Sequence, residues 1–385
     1  MILIKNGKVL TMAGETIENG SVLIKEGKIV EVGQVNVQDG VEVIDAKGHY
    51  VLPGFIDAHC HLGMWESSIG FEGSDGNEIT DPITPQLRAI DAINPMDENF
   101  EEARSLGGVT MVASGPGSAN VVGGQFCAIK TAGIVVDDMV VKAPLAMKIA
   151  FGENPKRCYN ERKVTPTTRM GTASELRNIL FKAFEYKEKL EQGKEDPSKK
   201  PAFDFKLEAL QSVVNKEIPL KAHAHRADDI ITAVRIAKEF DVKITLEHCT
   251  EGHLIPEFIK KSGVTAVVGP SFGHKSKFEL QNLTFETPGV LTRAGIKVAI
   301  MTDSPVIPLH HLNMCAALSM KAGMTEEDAL KAITINAAEI LELDDRVGSL
   351  EVGKDADVVI WDRHPFDLQA SPLYTIIDGN IVHKK

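Results

Sequence analysis

The stretch Leu52-Pro53-Gly54-Phe55-Ile56-Asp57-Ala58-His59-Cys60-His61 decides the reading of this chain. An apolar run ends in two histidines separated by one residue. Side chains alternate between faces along a β-strand, so His59 and His61 point the same way. Two imidazoles on one side of a rigid strand make half of a metal site. Pro53 and Gly54 set a sharp entry into the strand. Asp57 shares the face of His59 and is placed to accept an imidazole N–H behind a metal-facing ring. Cys60 falls on the opposite face and is expected in the core.

Outward from this stretch, strand and helix patterns alternate, which favours a parallel sheet or barrel. The apolar runs 108–113, 146–151, 219–224, 243–247, 264–268 and 297–301 read as strands, with weaker candidates at 128–131 and 140–142. Residues 228–240 form an amphipathic helix pattern, and Thr325 with Asp328 forms an N-terminal capping pair. Residues 174–216 are longer than an ordinary connection and are expected over or beside the barrel mouth. Catalytic residues of (β/α)8 barrels sit at the C-terminal ends of the strands. Those ends read His59 and His61, then Lys148 or Glu153, then His223 or His225, then His248 and Asp303. Neutral imidazoles bind zinc and similar divalent metals, and a carboxylate beside a metal-bound water can take its proton. Asp303 is therefore the expected general base, and a candidate metal ligand as well. Lys148 is the sole charge in its apolar run, and a buried lysine is costly unless it is neutralised or used. Glu153 already carries a carboxylate and stands nearer its strand end. Gly123-Gly124-Gln125 offers backbone that can approach a substrate closely, with Gln125 as a contact.

Pro53-Gly54-Phe55-Ile56-Asp57-Ala58-His59-Cys60-His61 resembles the first-strand signature of the metal-dependent amidohydrolase superfamily. Within that superfamily the chain is most similar to the imidazolonepropionase-like and prolidase-like branch, with N- and C-terminal segments of the same type. The resemblance implies a (β/α)8 TIM barrel over 52–350 and a small composite β-sandwich built from 1–51 and 351–385. It implies one or two divalent metal ions, zinc foremost, with iron, manganese or nickel also suited to such ligands. It makes His223 the ligand from the fifth strand and leaves His225 to contact substrate. It also likens Lys148 to a lysine that carbon dioxide carboxylates so that it bridges two metals. The activity implied is cleavage of an amide or cyclic amide C–N bond by a metal-activated hydroxide, with Asp303 as base. The rival readings are a mononuclear deaminase of a cyclic amidine and a non-catalytic scaffold; the complete His and Asp set argues against the scaffold.

Composition is ordinary for a soluble globular protein: 385 residues, 43% hydrophobic and 25% charged. A formal net charge of -12 argues against nucleic acid or an anionic membrane as the main partner; it says little about the substrate, which the resemblance implies to be a small molecule. The five cysteines are scattered without a C-x-x-C pair, as expected in a reducing cytoplasm. The first residues read as a strand and turn rather than a signal peptide. No apolar run approaches the ~20 residues that span a bilayer. A homo-oligomer is expected.

At both ends, short strands punctuated by Asn6-Gly7, Asn19-Gly20, Glu26-Gly27 and Asp39-Gly40 are too few to cover their own apolar faces. Deleting residues 1–44 should therefore expose the apolar faces of 358–361 and 374–377 and render the protein insoluble. A soluble, fully active truncation would overturn that expectation.

Overall fold

A computed structural model describes residues 1–35, 40–67 and 70–385, so the expected turn at Asp39-Gly40 lies in part outside the described residues. The described strands, in chain order, begin with β1 (Ile2–Val9), β2 (Ile17–Lys25), β3 (Lys28–Gly33), β4 (Glu42–Asp45) and β5 (Tyr50–Pro53). The central run follows: β6 (Phe55–Cys60), β7 (Val109–Ser114), β8 (Val122–Lys130), β9 (Val140–Ala150), β10 (Leu220–Ala224), β11 (Ile244–His248), β12 (Thr265–Val268) and β13 (Val298–Ile300). The chain closes with β14 (Val358–Trp361), β15 (Pro372–Ile377) and β16 (Asn380–Lys384).

Both chain ends share one sheet, ordered β16-β15-β14-β5-β1-β2-β3, with β4 also paired to β1. β4 takes the first half of β1 and β5 the second, so the sheet branches there. The β3 margin also meets the segment that leads into β14: Ile29 N–H donates to Lys354 O at 3.0 Å and Ala356 N–H to Gly27 O at 2.8 Å. Ile4, Val22, Ile24, Ile29, Val51, Val358, Ile360 and Ile376 fill one core between the layers. Neither terminal segment has enough apolar surface to close such a core alone.

The other sheet is an eight-stranded barrel, ordered β13-β12-β11-β10-β9-β8-β7-β6. Seven strands run parallel, whereas β8 is antiparallel to both β7 and β9. This departs from a regular (β/α)8 repeat and from the short strand candidates at 128–131 and 140–142. The physical reason is loop length. Residues 115–121 cannot hold a crossover helix, and parallel strands need a dozen or more connecting residues. The reversal keeps 115–121 at the end of the barrel where β7 finishes and carries Lys130 to the opposite end.

The seam between β6 and β13 is joined largely by a side chain. Asp57 Oδ2 accepts from Thr302 N–H at 2.9 Å and from Thr302 Oγ1 at 2.6 Å, and Oδ1 accepts from His59 N–H at 3.0 Å. Burial pushes the Asp57 carboxyl up to about 7 against the opposing pull of these donors. Asp57 thus braces the barrel rather than meeting an imidazole ring. Gly54 precedes it where an added Cβ would lie 2.1 Å from Thr110 Oγ1, so a side chain cannot be accommodated there without a shift.

The helix Arg169–Glu195 starts at Thr168, whose side chain accepts from Gly171 N–H. It buries Leu176, Ile179, Leu180 and Ala183, a spacing of one helix face. That face joins Met147, Ile149, Leu220 and Ala222 in a single cluster on the outer wall of β9 and β10. Of the two placements expected, over or beside the mouth, residues 174–216 take neither the lining of the cavity at the mouth nor a cover over it, but pack beside the barrel wall. At the barrel's far end, Lys130 Nζ lies 2.5 Å from Asp357, 3.2 Å from Asp355 and 3.3 Å from Asp378. Lys130, Asp355 and Asp357 are all buried where the barrel meets the sheet of chain ends. Lys130→Met should leave the buried Asp357 without its cation, while Asp355 keeps Lys28 and Arg346, and cost about 3–5 kcal/mol of stability. Urea denaturation will check this; an unchanged midpoint would show that the cluster does not hold the two layers together.

Candidate metal centre

β6 carries the first half of the site. Its pairing with β7 shifts register between Asp57/Val112 and Cys60/Ser114, so β6 has one residue more than its partner there. Such a bulge re-aims side chains, and Asp57 holds it through the His59 N–H. The His59 and His61 rings lie 5.5 Å apart. His61 Nδ1 lies 2.6 Å from Gly115 O, an acceptor only, so Nδ1 carries the proton and Nε2 presents a lone pair. That lone pair faces Asp303 Oδ1 at 3.1 Å, and His59 Nε2 faces the same oxygen at 3.6 Å. Cys60 packs away from the site in the outer core, as its parity requires.

The second half comes from β10 and β11. His223, His225 and His248 bring one ligand atom each within 4.8 Å of one another, as do His59, His61 and Asp303. His225 Nδ1 lies 2.8 Å from Thr250 Oγ1 and His248 Nδ1 lies 2.8 Å from Gly269 O. Burial holds His59, His223 and His248 well below the ordinary histidine range and brings His225 down to about 3. These imidazoles are accordingly neutral at physiological pH, the form that ligates a metal. His248 Nε2 and Asp303 Oδ1 are both buried with no hydrogen-bond partner. Unpaired acceptors of this kind, facing further lone pairs, fit a cation. His248, Cys249 and Asp303 all adopt positive φ, at 68°, 50° and 55°. Left-handed backbone in a non-glycine residue costs on the order of 1–3 kcal/mol and gathers at functional sites.

Lys148 points into the barrel, with Nζ 3.0 Å from His59 Nε2. Burial pulls its ammonium down to about 8; Asp303 and Glu247 oppose that shift and Lys221 adds to it. Glu153, the rival on the same connection, belongs to neither donor group, and its backbone N–H donates to Glu279 Oε2 at 3.0 Å. The reason is local: Glu153 opens the helix Glu153–Glu161. Gln125 is also placed away from the site, its Nε2 donating to Pro85 O at 3.2 Å and its side chain absent from the cavity wall. His225, expected against substrate, stands in the three-histidine group. His253 bonds Thr250 and Thr287, and the pair His310-His311 lies outside the cavity wall.

Above the donors opens a cavity of about 510 Å³ walled in part by Trp65, Asn154, Lys277, Leu280, Leu283 and Val306. Trp65 stands edge-on to His61 at 4.8 Å. Sequence reading missed Trp65, Lys221 and Glu247. For the last two a signal existed, since Lys221 precedes His223 by two residues and Glu247 follows Thr245 by two on predicted strands. Trp65 lies in an irregular loop where no periodicity applies.

The profile of the amidohydrolase family matches residues 50–382. The chain belongs to the amidohydrolase family, a family of metal-dependent hydrolases acting on small molecules. A solved amidohydrolase from Thermotoga maritima is 44% identical, with each chain covered completely and a TM-score of 0.97. The amidohydrolase tasK of Hapsidospora irregularis is 29% identical over 367 residues, 88% of this chain but only 37% of that protein's length. An imidazolonepropionase from Colwellia psychrerythraea is 25% identical over 350 residues, covering 83% of this chain and 78% of the relative. Among the described residues no helix is long and apolar enough to cross a membrane.

His59→Ala or His61→Ala should lower metal content while far-ultraviolet circular dichroism stays that of the parent, because the side chains lost lie at the strand end and not in the hydrophobic core. Full metal occupancy in a folded variant would remove these histidines from the ligand set.

Proposed function

We propose that this protein hydrolyses an amide or cyclic amide C–N bond using two divalent metals, zinc foremost, held by the donor groups on either side of Lys148. The observation that carries this reading is the opposed lone pairs of His61 Nε2 and Asp303 Oδ1 at 3.1 Å, with the orphaned His248 Nε2 across the barrel. His59, His61 and Asp303 would hold one ion; His223, His225 and His248 would hold the other. When bound, such ions supply an activated water and polarise the scissile carbonyl.

The chain's own residues do the remainder. Gly115 O, Thr250 Oγ1 and Gly269 O fix which ring nitrogen of His61, His225 and His248 faces the centre. The Asp303 carboxylate, at the mouth of the barrel, has a second oxygen, Oδ2, to accept the proton released by the attacking water and return it to the departing nitrogen. Trp65, Leu280, Leu283 and Val306 give the cavity an apolar wall that limits water around the reacting bond. Lys148 joins the two donor groups as a carbamate. Its neutral amine forms an N–C bond to carbon dioxide as one C–O π bond opens, and releases one proton to solvent, leaving a carbamate whose single negative charge is shared by two oxygens. The ammonium's descent to about 8 under burial supports this, because it raises the fraction of neutral amine available.

One contact favours a second reading. Lys148 Nζ lies 3.0 Å from His59 Nε2, within reach of a hydrogen bond to that ring, and a single-metal deaminase of a cyclic amidine needs no bridge. Lys148→Ala separates the two. With a bridge, the variant should lose one metal and at least about 100-fold in turnover, a loss that acetate or propionate partly restores. Lys148→Arg, which keeps the charge and cannot form the carbamate, should not be restored. A variant that keeps wild-type metal content and turnover makes Lys148 structural and leaves the single-metal reading standing.

A further inference from the structure

Two buried charges have no task in the reading above. Lys221 on β10 and Glu247 on β11 both point into the barrel, exposed by 1% and 0%. Lys221 lies level with Lys148 on the neighbouring strand, and Glu247 lies level with His223. Glu247 Oε1 accepts from Thr245 Oγ1 at 2.5 Å. Glu247 Oε2 lies 2.7 Å from His59 Nδ1 and 3.0 Å from Lys221 Nζ. Lys221 Nζ makes no properly directed hydrogen bond and sits 5.6 Å from the centroid of the Phe126 ring, so its tie to Glu247 is coulombic. Two apolar side chains of similar volume would fill this space without the desolvation of either charge. Packing alone therefore does not account for the pair.

We propose that Glu247 is a positioning residue for His59 and that Lys221 is its counter-ion, balancing the carboxylate while no metal is bound. The proposal rests on the metal-dependent reading above. Glu247 accepts a hydrogen bond from His59 Nδ1–H, fixes the ring and turns the Nε2 lone pair toward Asp303. His61 and His248 are backed by backbone carbonyls and His225 by a hydroxyl. Among these four, His59 alone is backed by a charge, which strengthens the imidazole as a donor. Lys221 has the opposite effect on a bound cation, since like charges repel across a low-dielectric interior. Its value lies in the metal-free barrel, where Glu247 without it would be a buried anion deprived of the cation in contact with it.

This division of labour predicts effects of opposite sign. Metal-free protein is titrated with zinc against a chromophoric chelator, and thermal unfolding of the metal-free form is followed in parallel. Glu247→Gln, which keeps an oxygen acceptor but loses the charge, should weaken the metal held by His59 by about 10–100-fold. Lys221→Met should bind that metal as tightly as wild type or more tightly, while its metal-free form melts at a lower temperature. The double variant should melt above Lys221→Met and share the weakened affinity of Glu247→Gln. A merely structural pair would give equal losses of affinity in both single variants, and that result overturns the proposal, as does wild-type affinity in Glu247→Gln. If Lys221→Met fails to fold, the double variant decides in its place, and wild-type affinity there overturns the pair. Wild-type protein that takes up no metal defeats the underlying reading; wild-type protein that takes up metal beside an unaffected Glu247→Gln defeats the pair alone.

Discussion

The carboxylate of Asp57 is the constraint on which the rest of the site depends. One oxygen holds the bulge that swings His59 into the barrel; the other joins β6 to the backbone beyond β13. The first and last barrel strands carry His59, His61 and Asp303 between them, so the spacing of that donor group is set by the same side chain that closes the wall. His61 N–H adds a bond to Ser304 O at 2.8 Å across the same seam. Barrel closure and ligand geometry are therefore one problem here, solved by a buried acid whose every contact is to a backbone or hydroxyl donor.

Behind the donors, the barrel interior is unusually polar for a packed core. Lys148, Lys221, Glu247 and His59 share the space that branched apolar residues dominate in most barrels of this kind. The apolar work is moved outward, to the interface between strands and helices, where Leu176, Leu180, Ile230 and Val234 cover β9 and β10. The stability of the molecule thus rests on the outer layer, the sheet of chain ends and a further apolar cluster that includes Met111, Phe126, Val267 and Leu341, which leaves the rest of the interior to be arranged by charge.

Much of this was legible in the sequence. His59, His61, His223, His248 and Asp303 stand out because each follows an apolar run, and strand parity predicts where such residues point. Parity also explains the misses. The bulge at β6 breaks the alternation, so Asp57 was read as a partner for an imidazole when it serves the seam. The reversal of β8 depends on the length of 115–121, a feature with no periodic signature, and it carried Gln125 away from the cavity. Glu153 looked suitable by charge and by nearness to the strand end, yet the helix that begins there turns its backbone N–H, not its carboxylate, toward the site's rim. His225 has the same parity as His223, and sequence could not say that β11 would bring His248 to meet both. The long helix from Arg169 was legible as a helix, but its buried face belongs to the wall and not the mouth.

The sheet formed by both chain ends has a consequence for the order in which the protein is made. β5 and β14 are neighbours, yet roughly 300 residues of chain separate them. At ribosomal rates of about 5–20 residues per second, β1 to β5 wait on the order of tens of seconds for the strands that cover them. During that interval Ile4, Val22, Ile24 and Val51 lack most of their packing partners, and the open margin of the nascent sheet is available to other chains. The barrel must therefore assemble beside an unfinished layer, and β14 to β16 decide whether β1 to β5 are ever sheltered.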